Sequence, residues 1–398
     1  MVIGDADGEF ARSADMKWPW TRRELLQTLG WTLGAAACRP TQQGNPRSVG
    51  ARFDGFPIQR VDSFLTPTAD FFVRDHFGVP DVAERAGDNW TLRVDGDVEA
   101  SRTLSLAELA MYPKMDVPVT LECAGNAGRN GLGWPGGPRA WGGASTASFQ
   151  GISLAALLQL ARPRSGAREV VLFGADIGAE RGSSRVEPFA RSVPLASALA
   201  GPSILATGMN GARLPTLHGG PLRAVFPGRY ATDSVKWLAR ISILSTPFSG
   251  LYQAHRYRRA TRLDPVGTPL GELRLQNEIV RPLAGAQLPA GLLTDVMGVT
   301  WGGVGGVERV DVSVDGGQSF VAATFIDPDR PNCWRRWTWP WKPEHPGPRL
   351  LLARAVDRSG EAQPMASEEE RGLSYSVSGP DRIQYANNSV PVIPVTVT

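Results

Sequence analysis

One cysteine at the end of an apolar run offers this sequence its most distinctive chemistry. Val117–Leu121 is short and apolar and reads as a buried strand. It runs into Cys123 and turns at Gly125 and Asn126, within the stretch VTLECAGNAGR that ends at Arg129. A thiolate at the mouth of a strand can meet a ligand lying over the loop, and it suits a soft metal. The other reading of Cys123 is a small buried hydrophobe, the common state of a free cysteine. Asp70-Phe-Phe-Val-Arg-Asp-His76 sets Arg74 and His76 beside bulky apolar residues, either as core plus surface or as a pocket wall facing an anion. His218-Gly-Gly-Pro-Leu-Arg223 and Ser234-Val235-Lys236 gather His, Arg and Lys. That set suits a phosphate, because arginine forks onto two oxygens and lysine adds a point charge. Its alternative is a solvated basic surface. Tyr257, in the run Gln253-Ala-His-Arg-Tyr257-Arg258, offers a phenol to an oxygen or packs at a domain seam.

Composition narrows the class. The 398 residues are 42% hydrophobic and 20% charged, enough for two domains with separate cores. A net charge of +3 gives no strong general pull towards nucleic acid. No window reads as an uninterrupted membrane span. Cys38, Cys123 and Cys333 are too few for a disulfide framework, and no Cys-x-x-Cys-His attaches haem. His76, His218, His255 and His345 lie far apart, without zinc-ligand spacing.

The elements that must position these residues are a mixed set followed by strands. Trp90–Val98 reads as a strand and Ser105–Met111 as a short helix with a serine cap. Gly131–Gly143 reads as an irregular loop over the cysteine. Ile152–Leu160 and Pro194–Leu199 read as helices, and Glu169–Phe173 as a strand reaching Asp176. Ile204–Met209 and Arg213–Leu217 flank the hairpin signal Asn210-Gly211, and Ile241–Leu244 is a further strand. Beyond about residue 276, Met297–Trp301, Arg309–Val314, Phe320–Phe325, Leu350–Val356 and Val390–Val397 read as short strands. Val310, Val312 and Val314 alternate with Arg309, Asp311 and Ser313, which predicts one buried face. Trp337, Trp339 and Trp341 share a face as core or interface residues.

The N-terminus reads as an address. Thr21-Arg22-Arg23-Glu24-Leu25-Leu26 is similar to a twin-arginine export motif, followed by the apolar segment Leu25–Ala37. Cys38 after three alanines suggests lipid anchoring; the alternative for the whole segment is an exposed amphipathic helix. The expected organisation is a signal segment over 1–38, a tether over 39–54, and domains over 55–275 and 276–398.

Cys-Ala-Gly-Asn, followed by Trp141-Gly-Gly-Ala-Ser-Thr146, resembles the molybdenum loop of the sulfite oxidase family. The resemblance covers roughly residues 55–398. It implies an α+β fold: a mixed α/β molybdopterin domain, then an all-β immunoglobulin-like sandwich that makes a homodimer. It implies a molybdenum-molybdopterin cofactor with Cys123 as the only protein ligand to the metal. Cofactor contacts would come from Phe72, Val73, Arg74, Asp75, His76, Asp176, His218, Arg223, Ser234, Val235 and Lys236, and substrate contacts from Arg74, Arg129 and Tyr257. Asp75 stands where asparagine is usual. Gly128 stands where an arginine is usual, with Arg129 one place later, and a C-terminal family arginine falls near Ile383, beside Arg382. The implied activity is oxo transfer to a sulfur oxyanion, sulfite to sulfate, in the periplasm, with electrons passing to a separate cytochrome-type haem protein. The alternatives are the catalytic subunit of a sulfane dehydrogenase and a non-enzymatic immunoglobulin-like scaffold.

Overall fold

The computed structural model describes residues 52–126, 142–180, 184–259, 264, 266–365 and 386–398. The export motif, Cys38, Arg129, residues 131–141 of the loop over the cysteine, and Arg382 with Ile383 lie outside them.

Two five-stranded sheets build the first half. The cysteine strand, Lys114–Glu122, pairs antiparallel with Ala144–Ser153, which pairs with Ile204–Met209; Ala212–Arg213 and Arg223–Val225 flank the latter. Ala144–Ser153 is absent from the sequence reading because its alanines, serines and glycine carry no apolar signal. The strand is nonetheless buried over most of its length. The second sheet runs Arg102–Ser105, Thr91–Gly96, Leu238–Leu244, Glu169–Ala179, Val186–Pro194. Thr91–Gly96 and Leu238–Leu244 are parallel, and the other neighbours are antiparallel. Helices Leu154–Ala161 and Leu195–Ala200 share a core with this sheet. Leu106–Leu109 is the helix expected after Ser105, whose hydroxyl accepts the Glu108 N–H while the Glu108 carboxylate takes the Ser105 N–H.

The second half is a sandwich. One sheet runs Gln276–Arg281, Thr294–Trp301, Arg335–Trp341, Thr324–Phe325; the other runs Gln287–Leu288, Val392–Val397, Gly347–Asp357, Val307–Ser313, Val321–Ala322. Ile279, Val296 and Trp337 of the first meet Val310, Val312 and Leu351 of the second in one core. Trp337 and Trp341 belong to that core and Trp339 packs against it.

Three expectations change. Phe320–Phe325 is not one strand: Val321–Ala322 pairs in one sheet and Thr324–Phe325 in the other, so the chain crosses the sandwich at Ala323. Arg309–Val314 has no solvent face of the expected kind, since Asp311 and Ser313 are buried too. Asp311 is tolerated there because Arg309 and Arg354 lie against it. Arg52–Asp54, read as the end of a tether, is a strand paired with Val73–Asp75. Among the described residues no helix is long and apolar enough to cross a membrane.

Candidate active site

The charged clusters and the cysteine, scattered over more than a hundred residues of sequence, converge on one pocket. Phe72, Val73, Arg74, Asp75, His76, Cys123, Asp176, His218, Arg223, Ser234, Lys236 and Tyr257 all line it. Cys123 sits just past the end of its strand, 5% exposed. Its N–H donates to the Gly143 carbonyl at 2.7 Å, and its own carbonyl accepts the Asn126 N–H at 2.8 Å. Burial pushes the thiol pKa up, against the pull of the Arg74 guanidinium. Among the described residues no group of three or more His, Cys, Asp or Glu could hold a metal ion, so Cys123 stands alone as a thiolate donor in the pocket.

Two carboxylates of this pocket keep an oxygen without a hydrogen bond. Oδ2 of Asp75 and Oδ1 of Asp176 are buried and take no hydrogen bond. Between them in charge is Lys236, whose Nζ lies 3.6 Å from Oδ2 of Asp75 and donates to the Leu217 carbonyl at 3.1 Å. Burial pushes the Asp176 carboxyl up and the Lys236 ammonium down, each partly opposed by the other. Orphaned buried acceptors cost stability unless a ligand supplies donors. Gly219, at φ +101°, lets the His218 segment lie against Lys236: a Cβ there would come within 2.8 Å of the lysine's Cβ.

The phosphate-type cluster lines the pocket and also ties its segments together. Arg223 also holds main chain together. Its Nη1 donates to the His218 carbonyl at 2.8 Å and its Nη2 to the Ser234 carbonyl at 2.9 Å, so it clamps the two segments together. Only Nε is without a partner. His218 Nε2 lies 2.9 Å from the Thr68 carbonyl, to which it must donate, and burial holds the ring neutral with its pKa down to about 4. Ser234 Oγ accepts the Phe226 N–H at 3.0 Å, leaving its own hydrogen to donate elsewhere. Val235 turns its side chain into the apolar core, away from the pocket, and its carbonyl accepts the Ala224 N–H.

Tyr257 is buried and strained. Its φ is +46°, in the left-handed region that non-glycine residues seldom occupy. Oη lies 2.6 Å from Nε2 of His76, and Nδ1 of His76 lies 3.4 Å from Nη2 of Arg74. Phe189 stacks on the His76 ring at 5.3 Å. Sequence reasoning missed Phe189, because Arg185, Glu187, Pro188 and Arg191 hide the strand around it. The arginines flanking Tyr257 tie down its loop: Arg256 pairs with Glu180 at 2.6 Å, and Arg258 donates to the Gln253 and Val266 carbonyls. Glu122 and Trp301 were also missed as site neighbours, since nothing local in the sequence links them.

Residues 76–252 match the model of an oxidoreductase molybdopterin-binding domain, and residues 269–376 that of a molybdenum-cofactor oxidoreductase dimerisation domain. Sulfite oxidase of Gallus gallus is 36% identical over 331 residues, spanning 76% of this chain and 69% of that protein. The chain belongs to the sulfite oxidase family. The human mitochondrial sulfite oxidase is 30% identical over 333 residues, spanning 77% of this chain and 59% of the human protein. Among solved structures, the sulfane dehydrogenase SoxCD of Paracoccus pantotrophus shares the fold, with a TM-score of 0.73 at 22% identity over 97% of this chain and 92% of that one. As a sulfite oxidase family member the chain is an oxidoreductase with a molybdenum-molybdopterin cofactor. The residues present fit that group. Cys123 would supply the soft donor, the buried Asp75 and Asp176 carboxylate oxygens that take no hydrogen bond suit ring N–H donors, and Lys236 with Arg223 Nε would supply positive charge for a phosphate.

Proposed function

We propose that the chain oxidises a sulfur oxyanion, sulfite to sulfate, outside the cytoplasm. The observation that carries this is the convergence of one soft thiol donor, Cys123, with Arg74 and Tyr257 in a single pocket. Sulfite takes up one water and gives sulfate, two protons and two electrons. The bound cofactor supplies the two-electron, oxygen-transferring chemistry. The chain's own residues bind and orient the anion. Arg74 offers a guanidinium to the dianion through charge-assisted hydrogen bonds. His76 holds the Tyr257 ring in place: Arg74 can only donate to Nδ1, so a neutral His76 carries its hydrogen on Nε2 and donates to Oη. Tyr257 lines the same pocket as Arg74, where a substrate oxygen would meet its phenol. Phe72 and Phe189 keep bulk water from the pocket wall.

Electrons leave to a separate cytochrome-type haem protein, and the β sandwich pairs two copies into a homodimer. The match of residues 269–376 to a dimerisation model supports the second point, and the twin-arginine pattern at Arg22-Arg23 supports export of the folded chain. The test is purification followed by molybdenum quantification and assay of sulfite oxidation with an artificial electron acceptor. Stoichiometric molybdenum with sulfite-dependent reduction of the acceptor is expected. Molybdenum with no turnover of sulfite would redirect the search to another sulfur substrate.

A further inference from the structure

We propose that Glu122 is a positioning residue for Cys123, and that Trp301 of the C-terminal sandwich shares in that role; the proposal rests on Cys123 ligating molybdenum. Glu122 ends the cysteine strand and is 1% exposed. A buried carboxylate is tolerated only when its oxygens are hydrogen-bonded. Oε1 accepts from Nδ2 of Asn126 at 3.2 Å, and Oε2 accepts from Nε1 of Trp301 at 3.0 Å.

Chemistry determines the direction of every bond in this set. An indole Nε1–H only donates. Oδ1 of Asn126 accepts the N–H of Gly143 at 3.0 Å and of Gly142 at 3.4 Å, so its amide nitrogen must face Glu122. Glu122 is thus the terminal acceptor for two donors. Glutamine in its place would turn an N–H against Asn126 or Trp301.

Gly143 closes the circuit. Its carbonyl accepts the Cys123 N–H, and a Cβ on Gly143 would stand 3.0 Å from the Cβ of Cys123. Glu122, Asn126, Gly143 and Cys123 therefore form one hydrogen-bonded ring around the thiol carrier. Trp301, itself 1% exposed, ties that ring to the strand Thr294–Trp301. A well-packed apolar residue would be at least as stable at position 122 as a buried acid. What the carboxylate adds is orientation: it holds the Asn126 amide one way round, hence the Gly142–Gly143 backbone, hence the torsion that aims Sγ. The state of the sandwich thereby reaches the metal ligand.

The test compares Glu122→Gln, which keeps size, and Trp301→Phe, which removes one donor, with the wild-type full chain. In molybdenum-loaded protein, metal content should stay within about twofold while kcat falls about tenfold in Glu122→Gln, the low end for partners of a metal ligand. KM should change little. The Mo(V) electron paramagnetic resonance g values should shift in Glu122→Gln and shift less in Trp301→Phe. In the full chain purified without molybdenum, iodoacetamide should label Cys123 severalfold faster relative to buried Cys333 in Glu122→Gln than in wild type. Unchanged g values and an unchanged labelling ratio, with only a lower melting temperature, would overturn the proposal. A wild-type chain holding no molybdenum would remove the cofactor assignment, and the labelling ratio would then decide the positioning role by itself.

Discussion

His76 and Tyr257 stand 181 residues apart in sequence and 2.6 Å apart in space, Nε2 to Oη. Arg74, two residues before His76, lies against the other ring nitrogen. Under the proposed function, the motif that supplies the substrate arginine also orients the Tyr257 phenol. Tyr257→Phe is expected to lower kcat/KM for sulfite about tenfold or more, because a hydrogen bond to a charged group contributes about 1.5–3 kcal/mol. His76→Ala should cost a similar amount. The double variant should cost clearly less than the sum, since both changes remove one shared function. Additive losses in steady-state kinetics would show that His76 acts independently of Tyr257.

Cys123→Ser should abolish turnover while the chain still folds and keeps much of its pterin. A hydroxyl is a poor replacement for thiolate at molybdenum, and the other pocket residues that would hold the pterin, such as Asp176, His218 and Lys236, lie far from residue 123 in sequence. Molybdenum and pterin analysis alongside activity checks this. Near-normal turnover with bound metal would remove Cys123 as the ligand.

Arg74→Gln should raise the KM for sulfite about tenfold or more, through loss of a charge-assisted contact. Arg129→Gln should also raise KM, without loss of molybdenum. If KM for sulfite is unchanged in Arg74→Gln, the pocket is not the oxyanion site.

His218 makes the cofactor-free protein acid-sensitive. Burial depresses its folded-state pKa to about 4, although its bond to the Thr68 carbonyl works the other way. The unfolded chain takes up this proton near pH 6.5. The stabilisation is therefore complete above about pH 6.5 and is lost as pH falls to about 4, amounting to on the order of 3 kcal/mol. Urea unfolding at pH 7 and pH 4.5 should show His218→Gln losing less stability than wild type across that window. Equal losses in both proteins would assign the acid sensitivity elsewhere.

Arg22→Lys with Arg23→Lys should hold a fused reporter in the cytoplasm. A periplasmic reporter signal equal to wild type would show that the twin-arginine pattern is accidental.

Much of the site is legible without the fold, because its residue types are those the chemistry requires and several sit in short motifs. Cys123 after an apolar run, Arg74 with His76, and His218 with Arg223 are each local patterns. So are the serine cap at Ser105 and the Asn210-Gly211 turn, where φ values of +49° and +80° form the tight hairpin. Such features depend on atoms within a few residues, so sequence order places them.

Only the tertiary structure decides what each polar atom has left to offer. Arg223 reads in sequence as a phosphate contact, and the fold adds that each Nη donates to a main-chain carbonyl, 5 and 11 residues away. Val235 shares a motif with Lys236, yet one side chain enters the core and the other the pocket. Glu122 carries no signal of its own in the sequence, yet Trp301, 179 residues later, donates to it in the buried interior. The physical reason is common to all three. A hydrogen bond's direction and a charge's cost are set by burial and by partners, and both are settled when distant strands pack, not by the order of residues along the chain.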